Sequence, residues 1–166
     1  RAGPSRQRKC HGSSSPRLQA LATLGEKIAL GVTISPDIEL ELWRKFLALM
    51  PMSGLSTLTR LPLGPWRETP ESWRLAEQAM EEVIAVAQAE GIGLSQMDLQ
   101  NTATAMREVV PPTWRGSLVL DLEAGKRLEV EWLHGTICRL GEKHGIDTPF
   151  HRAVLGALMP HANGVG

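Results

Sequence analysis

The chain has 166 residues, enough to bury a real core and most simply read as one domain. Lys plus Arg number 18 and Asp plus Glu number 18, so no overall field draws in nucleic acid or an anionic membrane. Two cysteines make no disulfide framework and fit a reducing cytoplasm; no apolar run nears the roughly 18 residues that a bilayer crossing needs, and the N-terminus lacks a signal peptide's apolar stretch.

Residues 1–16 carry basic side chains and no acid in a Gly, Ser and Pro background, a mixture too poor in apolar surface to order itself. They are expected to form a mobile basic arm, with a nucleic-acid tail the less favoured use of it. The periodic part of the chain, 17–161, is expected to be one helical domain, followed by a tail at 162–166. A first helix is predicted from about Ser15 to Gly31.

The next helix, with Asp37 as its N-cap, contains ELELWRKFLALM and raises a question about Lys45. At ~100° per residue, Ile38, Leu42, Leu49 and Met52 all lie close to Lys45 around the helix axis. An ammonium along such a seam either lays its stem on apolar neighbours and pairs with Glu41, or has a ligand to meet. The segment alone favours the first of these.

Thr69 and Pro70 open a further helix that Gly91 stops, with an apolar stripe through Trp73, Ala76, Met80, Val83, Ile84 and Ala87. Ser95 with Asp98 forms a capping box for a helix closed by Pro111 and Pro112. GSLVLDLEA, residues 116–124, alternates like a strand, yet it has no hairpin turn and no second strand to pair with, so a helix is expected. Thr148 and Pro149 open a last helix ending at Pro160. The fold class is therefore all-α, with six or seven helices.

Several chemistries are missing. No strand followed by a GxGxxG or GxxxxGK[ST] turn is present, nor an HExxH, a CxxC or a nucleophile elbow. Histidines at 11, 134, 144, 151 and 161 lack metal-ligand spacing, so no metal is expected.

A longer pattern remains: an LWxKF helix at 42–46, Ser117 followed by Asp121, Glu129 twelve residues after that serine, and Gly145-Ile146-Asp147-Thr148-Pro149 near the end. In this order it resembles the C-terminal helical domain of the ketopantoate reductase (2-dehydropantoate 2-reductase) family, over residues 16 to 160. The resemblance implies a bundle like those of ketopantoate reductase and 6-phosphogluconate dehydrogenase-like enzymes, without the Rossmann domain. It implies NADPH-dependent reduction of a 2-oxo acid in pantothenate biosynthesis, a Rossmann domain supplied in cis or in trans, and a homodimer.

By the same resemblance Lys45 is the catalytic lysine, Ser117 binds the substrate carboxylate, and Glu129 faces the cofactor. Ser53 takes a substrate-binding position, because pantoate-forming members carry asparagines four and eight residues after the lysine. Here those positions are Leu49 and Ser53. A leucine cannot bond a hydroxyl, which turns the reading away from ketopantoate itself. One unbroken helix from 117 to 129 would separate Ser117 and Glu129 by roughly 18 Å, so a break near Gly125 is expected, with a fresh helix at Lys126 or Arg127.

Read without the family, Ser117 is a helix N-cap after Gly116 and Glu129 a solvated acid. Trp132, Leu133, Ile137 and Leu140 are expected to form a core stripe, with Cys138 a small core residue. His134 is a helix residue where the family commonly has asparagine. The alternative function is a non-catalytic helical association module left by truncation.

Overall fold

A computed structural model describes residues 15–164; the arm up to residue 14 lies outside them. The elements are α1 (Pro16–Lys27), α2 (Ile38–Thr59), α3 (Leu63–Glu68), α4 (Pro70–Ala89), α5 (Gln96–Glu108), α6 (Ser117–Glu123), α7 (His134–His144) and α8 (Pro149–Leu158), then a 3-10 turn (Met159–His161). No strand occurs among the described residues, so the all-α expectation holds. The described residues form eight α-helices against about six or seven expected, because α3 is too short to show a period. The chain divides into two compact units, one ending at Leu42 and the other beginning at Trp43.

In the first unit, Ser15 caps α1 by accepting from Leu18 N, and Pro16, assigned above to the arm, is the first helical residue. The helix stops at Lys27, four residues before the expected end. Leu30 N reaches back to Gly25 O at 2.9 Å around Ala29, whose φ of 55° is left-handed, and closes a Schellman-type end. Asp37 caps α2 as predicted, Oδ1 accepting from Leu40 N at 3.0 Å.

The second unit is built around α4, which packs against α3, α5, α7 and α8. Fully buried Ala76, Ala79, Met80, Val83, Val86 and Ala87 give it an apolar face with small residues, which lets neighbouring helices approach closely. Thr69 occupies the N-cap position, but its hydroxyl donates to Pro65 O at 2.9 Å rather than capping. The capping box is present in α5: Ser95 N donates to Asp98 Oδ2 at 2.9 Å, and Asp98 N to Ser95 Oγ at 3.4 Å. Asp98 also pairs with Arg44 Nε at 2.8 Å. Leu47, Met50, Leu63, Trp66, Met106, Val119, Ile137 and Val154 complete the core.

Candidate active site

Lys45, Leu49 and Ser53 recur every four residues on α2, so they form one stripe on the helix. Exposure falls along it. Lys45 is exposed, Leu49 half-buried and Ser53 2% exposed. The Ser53 hydroxyl is enclosed and meets no hydrogen-bond partner among the described residues. Its own carbonyl accepts from Thr57 Oγ1 at 2.7 Å. An unpaired buried hydroxyl costs about 1–3 kcal/mol.

Ser117 is the first residue of α6 and is exposed; the N-cap is Gly116, so the hydroxyl is not spent on capping. The helix ends at Glu123, and Gly125 with φ 64° turns the chain where a break was expected. No helix follows at Lys126 or Arg127, contrary to expectation. Leu128 N instead donates to Ala162 O at 2.9 Å, and Leu128 and Val130 are buried while Glu129 between them is exposed. The link is irregular up to Glu129 and turns from Val130, and the next helix begins only at His134.

Glu129 shares a cavity of about 320 Å³ with Arg127, Leu128 and Trp132. Its carbonyl accepts from Trp132 N and Leu133 N at 3.0 Å, closing a turn. Trp132 is 67% exposed, which corrects its place in the core stripe; Ile137 and Cys138 are buried as expected. A larger cavity of about 570 Å³, lined by Arg67, Trp73 and Arg107 among others, contains none of the four predicted residues.

The sequence did not single out a buried polar group from three helices. The Glu82 carboxylate of α4 accepts from Phe150 N at 2.8 Å and His151 N at 3.2 Å, and its Oε2 lies 2.7 Å from His151 Nδ1. It thereby caps α8, where Thr148 makes no side-chain cap. His134 at the start of α7 stands 5.2 Å, ring to ring, from His151. Burial, then the neighbouring His151, push the His134 imidazole down to about 3. The available signal was Glu82 itself, on the same helical face as Ala79, Val83 and Val86. Among the described residues no group of His, Cys, Asp and Glu could hold a metal ion.

Among the described residues the bundle is all-helical, with Lys45 on α2 and a carboxylate cavity at Glu129, which defines a helical domain class. The family model described as ketopantoate reductase PanE/ApbA C terminal matches residues 37–162, and the chain belongs to that family. A 2-dehydropantoate 2-reductase of Archaeoglobus fulgidus is 29% identical over 131 residues, covering 78% of this chain and 42% of its own. The PanE/ApbA family ketopantoate reductase of Ralstonia eutropha superposes with a TM-score of 0.79 at 28% identity, over 87% of this chain and 48% of its own. A dimeric ketopantoate reductase of Staphylococcus aureus gives a TM-score of 0.80 at 23% identity, over 89% and 51%. The chain thus spans about half the length of the relatives it matches.

Proposed function

We propose that this chain is the catalytic and dimerising half of an NADPH-dependent reductase of 2-oxo acids, completed by a Rossmann domain in cis or in trans. The supporting observation is that Lys45, Ser53, Ser117 and Glu129 all lie inside the family-matched span, on α2, the start of α6 and the link before α7. The described residues hold no strand and Gly-rich turn, so they do not fit the cofactor's pyrophosphate, and on this reading the described part is expected to be inactive by itself. When bound by a complete enzyme, the cofactor supplies hydride.

Each residue then has one task. The Lys45 ammonium stabilises the negative charge that develops on the carbonyl oxygen and gives that oxygen a proton. Ser117 donates a hydrogen bond to the substrate carboxylate without adding charge. The orphaned Ser53 hydroxyl reaches a polar atom of the substrate, while Leu49 presents an apolar wall between it and Lys45. Glu129 faces the cofactor side. The setting is a cytoplasmic enzyme of the 2-dehydropantoate 2-reductase type, as in pantothenate biosynthesis, and the dimeric Staphylococcus aureus neighbour supports a homodimer.

The test is a two-domain protein with a Rossmann domain fused ahead of this chain. Lys45→Ala is expected to lower kcat by about 10²-fold or more, the usual scale for losing a positioned proton donor, with unchanged circular dichroism. Unchanged turnover would favour the non-catalytic association module instead. Submicromolar binding of NADPH by the isolated chain would also overturn the reading.

A further inference from the structure

Lys45 stands on the least buried part of the helix that carries it. Of the 22 residues of α2, none before Leu47 is buried, and Lys45 lies two positions ahead of that point. Helical turns with few buried contacts open more readily than the packed turns that follow them. A group that must meet charge on a reacting oxygen tolerates little of this, since a misplacement of about 1 Å can cost ~100-fold in rate. The turn therefore needs a hold from outside α2.

Arg44, the residue before Lys45, reaches across 54 positions to α5, where its Nε donates to Asp98 Oδ1 at 2.8 Å. Arg44, Lys45 and Asp98 all fall in the unit that begins at Trp43. Asp98 Oδ2 accepts from Ser95 N at 2.9 Å and from Ser95 Oγ at 2.7 Å, so the capping box fixes the carboxylate and leaves its other oxygen to Arg44. The Asp98 side chain is 11% exposed, that of Arg44 44%. Burial works to raise the Asp98 carboxyl, but the bonds from Ser95 and Arg44 outweigh it and hold the group below the usual carboxylate range; the first turn of α5 also favours its negative charge. Each oxygen thus has a separate duty. Adjacent residues diverge by ~100° around a helix, so the tie at Arg44 fixes the turn without crossing the face on which Lys45 stands.

We infer that Asp98 is a positioning residue of the reductase site: by holding Arg44, it fixes the turn of α2 that presents Lys45. This rests on the reductase reading, in which the Lys45 ammonium acts on the substrate oxygen.

Asp98→Asn separates the two duties of the carboxylate. Ser95 supplies two donors, so the amide oxygen stays with the cap and the amide nitrogen faces Arg44 Nε, donor against donor. Arg44→Met breaks the tie from the other side with α5 untouched, and Ser95→Ala weakens the cap while leaving Asp98 Oδ1 to Arg44. In the two-domain fusion, Asp98→Asn and Arg44→Met should each lower kcat about tenfold and move KM for the oxo acid by no more than about twofold, because the ammonium meets charge that exists only in the transition state. The two combined should lose no more than one alone. Ser95→Ala should keep its kcat. In amide hydrogen exchange on the chain itself, a peptide over 43–50 should exchange about tenfold faster in the first two variants and not in the third.

Unchanged kcat in either tie variant, additive losses, or an equal loss in Ser95→Ala overturns the proposal. So does a lowered kcat without faster exchange. Failure of the reductase reading looks different: the parent fusion does not turn over, or Lys45→Ala turns over normally. Exchange then decides the tie alone, and unchanged exchange in Asp98→Asn removes that as well.

Discussion

Glu82 on α4 and His151 on α8 are joined by a 2.7 Å contact between Oε2 and Nδ1, with both residues buried. The carboxylate also receives the first free N–H groups of α8, so one side chain satisfies a helix end and orients an imidazole. Glu82→Ala would leave those donors in the core without an acceptor. Losing one partner of such a buried pair costs about 3–5 kcal/mol. Urea denaturation should show this as a lowered midpoint with unchanged slope, and Glu82→Gln should lose less, since its amide oxygen still accepts.

His134 gives stability a pH dependence of definite sign. The unfolded histidine takes up its proton near 6.5, whereas the folded one resists until about 3, so folding expels a proton between these values. Stability is complete above pH 6.5 and declines as pH falls toward 3, by on the order of 4 kcal/mol in all. Between pH 6.5 and 5, above the range where carboxylates titrate, Tm should fall. His134→Leu should flatten that slope.

Close packing at Gly54 offers a separate check on the same corner. A Cβ there would stand 2.9 Å from Phe150 Cζ and 3.0 Å from His134 Cε1, both on buried rings. Gly54→Ala should therefore destabilise by about 1–3 kcal/mol through overpacking, although alanine is the better helix former. A rise in the urea midpoint would mean that the rings have room to move.

Leu49 should govern which oxo acids are reduced. In a two-domain fusion, Leu49→Asn restores an amide one turn beyond Lys45. The ratio of kcat/KM for hydroxylated over unhydroxylated 2-oxo acids should rise about tenfold or more, because a hydroxyl then gains a partner at about 1.5 kcal/mol or better. An unchanged ratio would place Leu49 outside the substrate site.

Features set by neighbours in sequence were legible. The Asp37 cap, the Ser95 and Asp98 box and the Thr-Pro helix openings need only adjacent residues. The break at Gly125 followed from a distance argument, but the position of the next helix did not. The link at residue 128 is held partly by Leu128 N bonding to Ala162, 34 positions away, which no local period records. Trp132 was misplaced for the same reason: a helical stripe was projected onto a segment of turns. Glu82 was hidden by its type, since an acid within an apolar face reads as an interruption until the free helix end that it meets is known.

The pairing of Leu128 with Ala162 ties the link carrying Glu129 to the last described turn, and Gly164 lies so close that a Cβ on it would stand 2.5 Å from Gly125 O. Residues 162–164 therefore act as a latch on that link. A cut after His161 would loosen the carboxylate's mooring even though it lies more than thirty residues upstream.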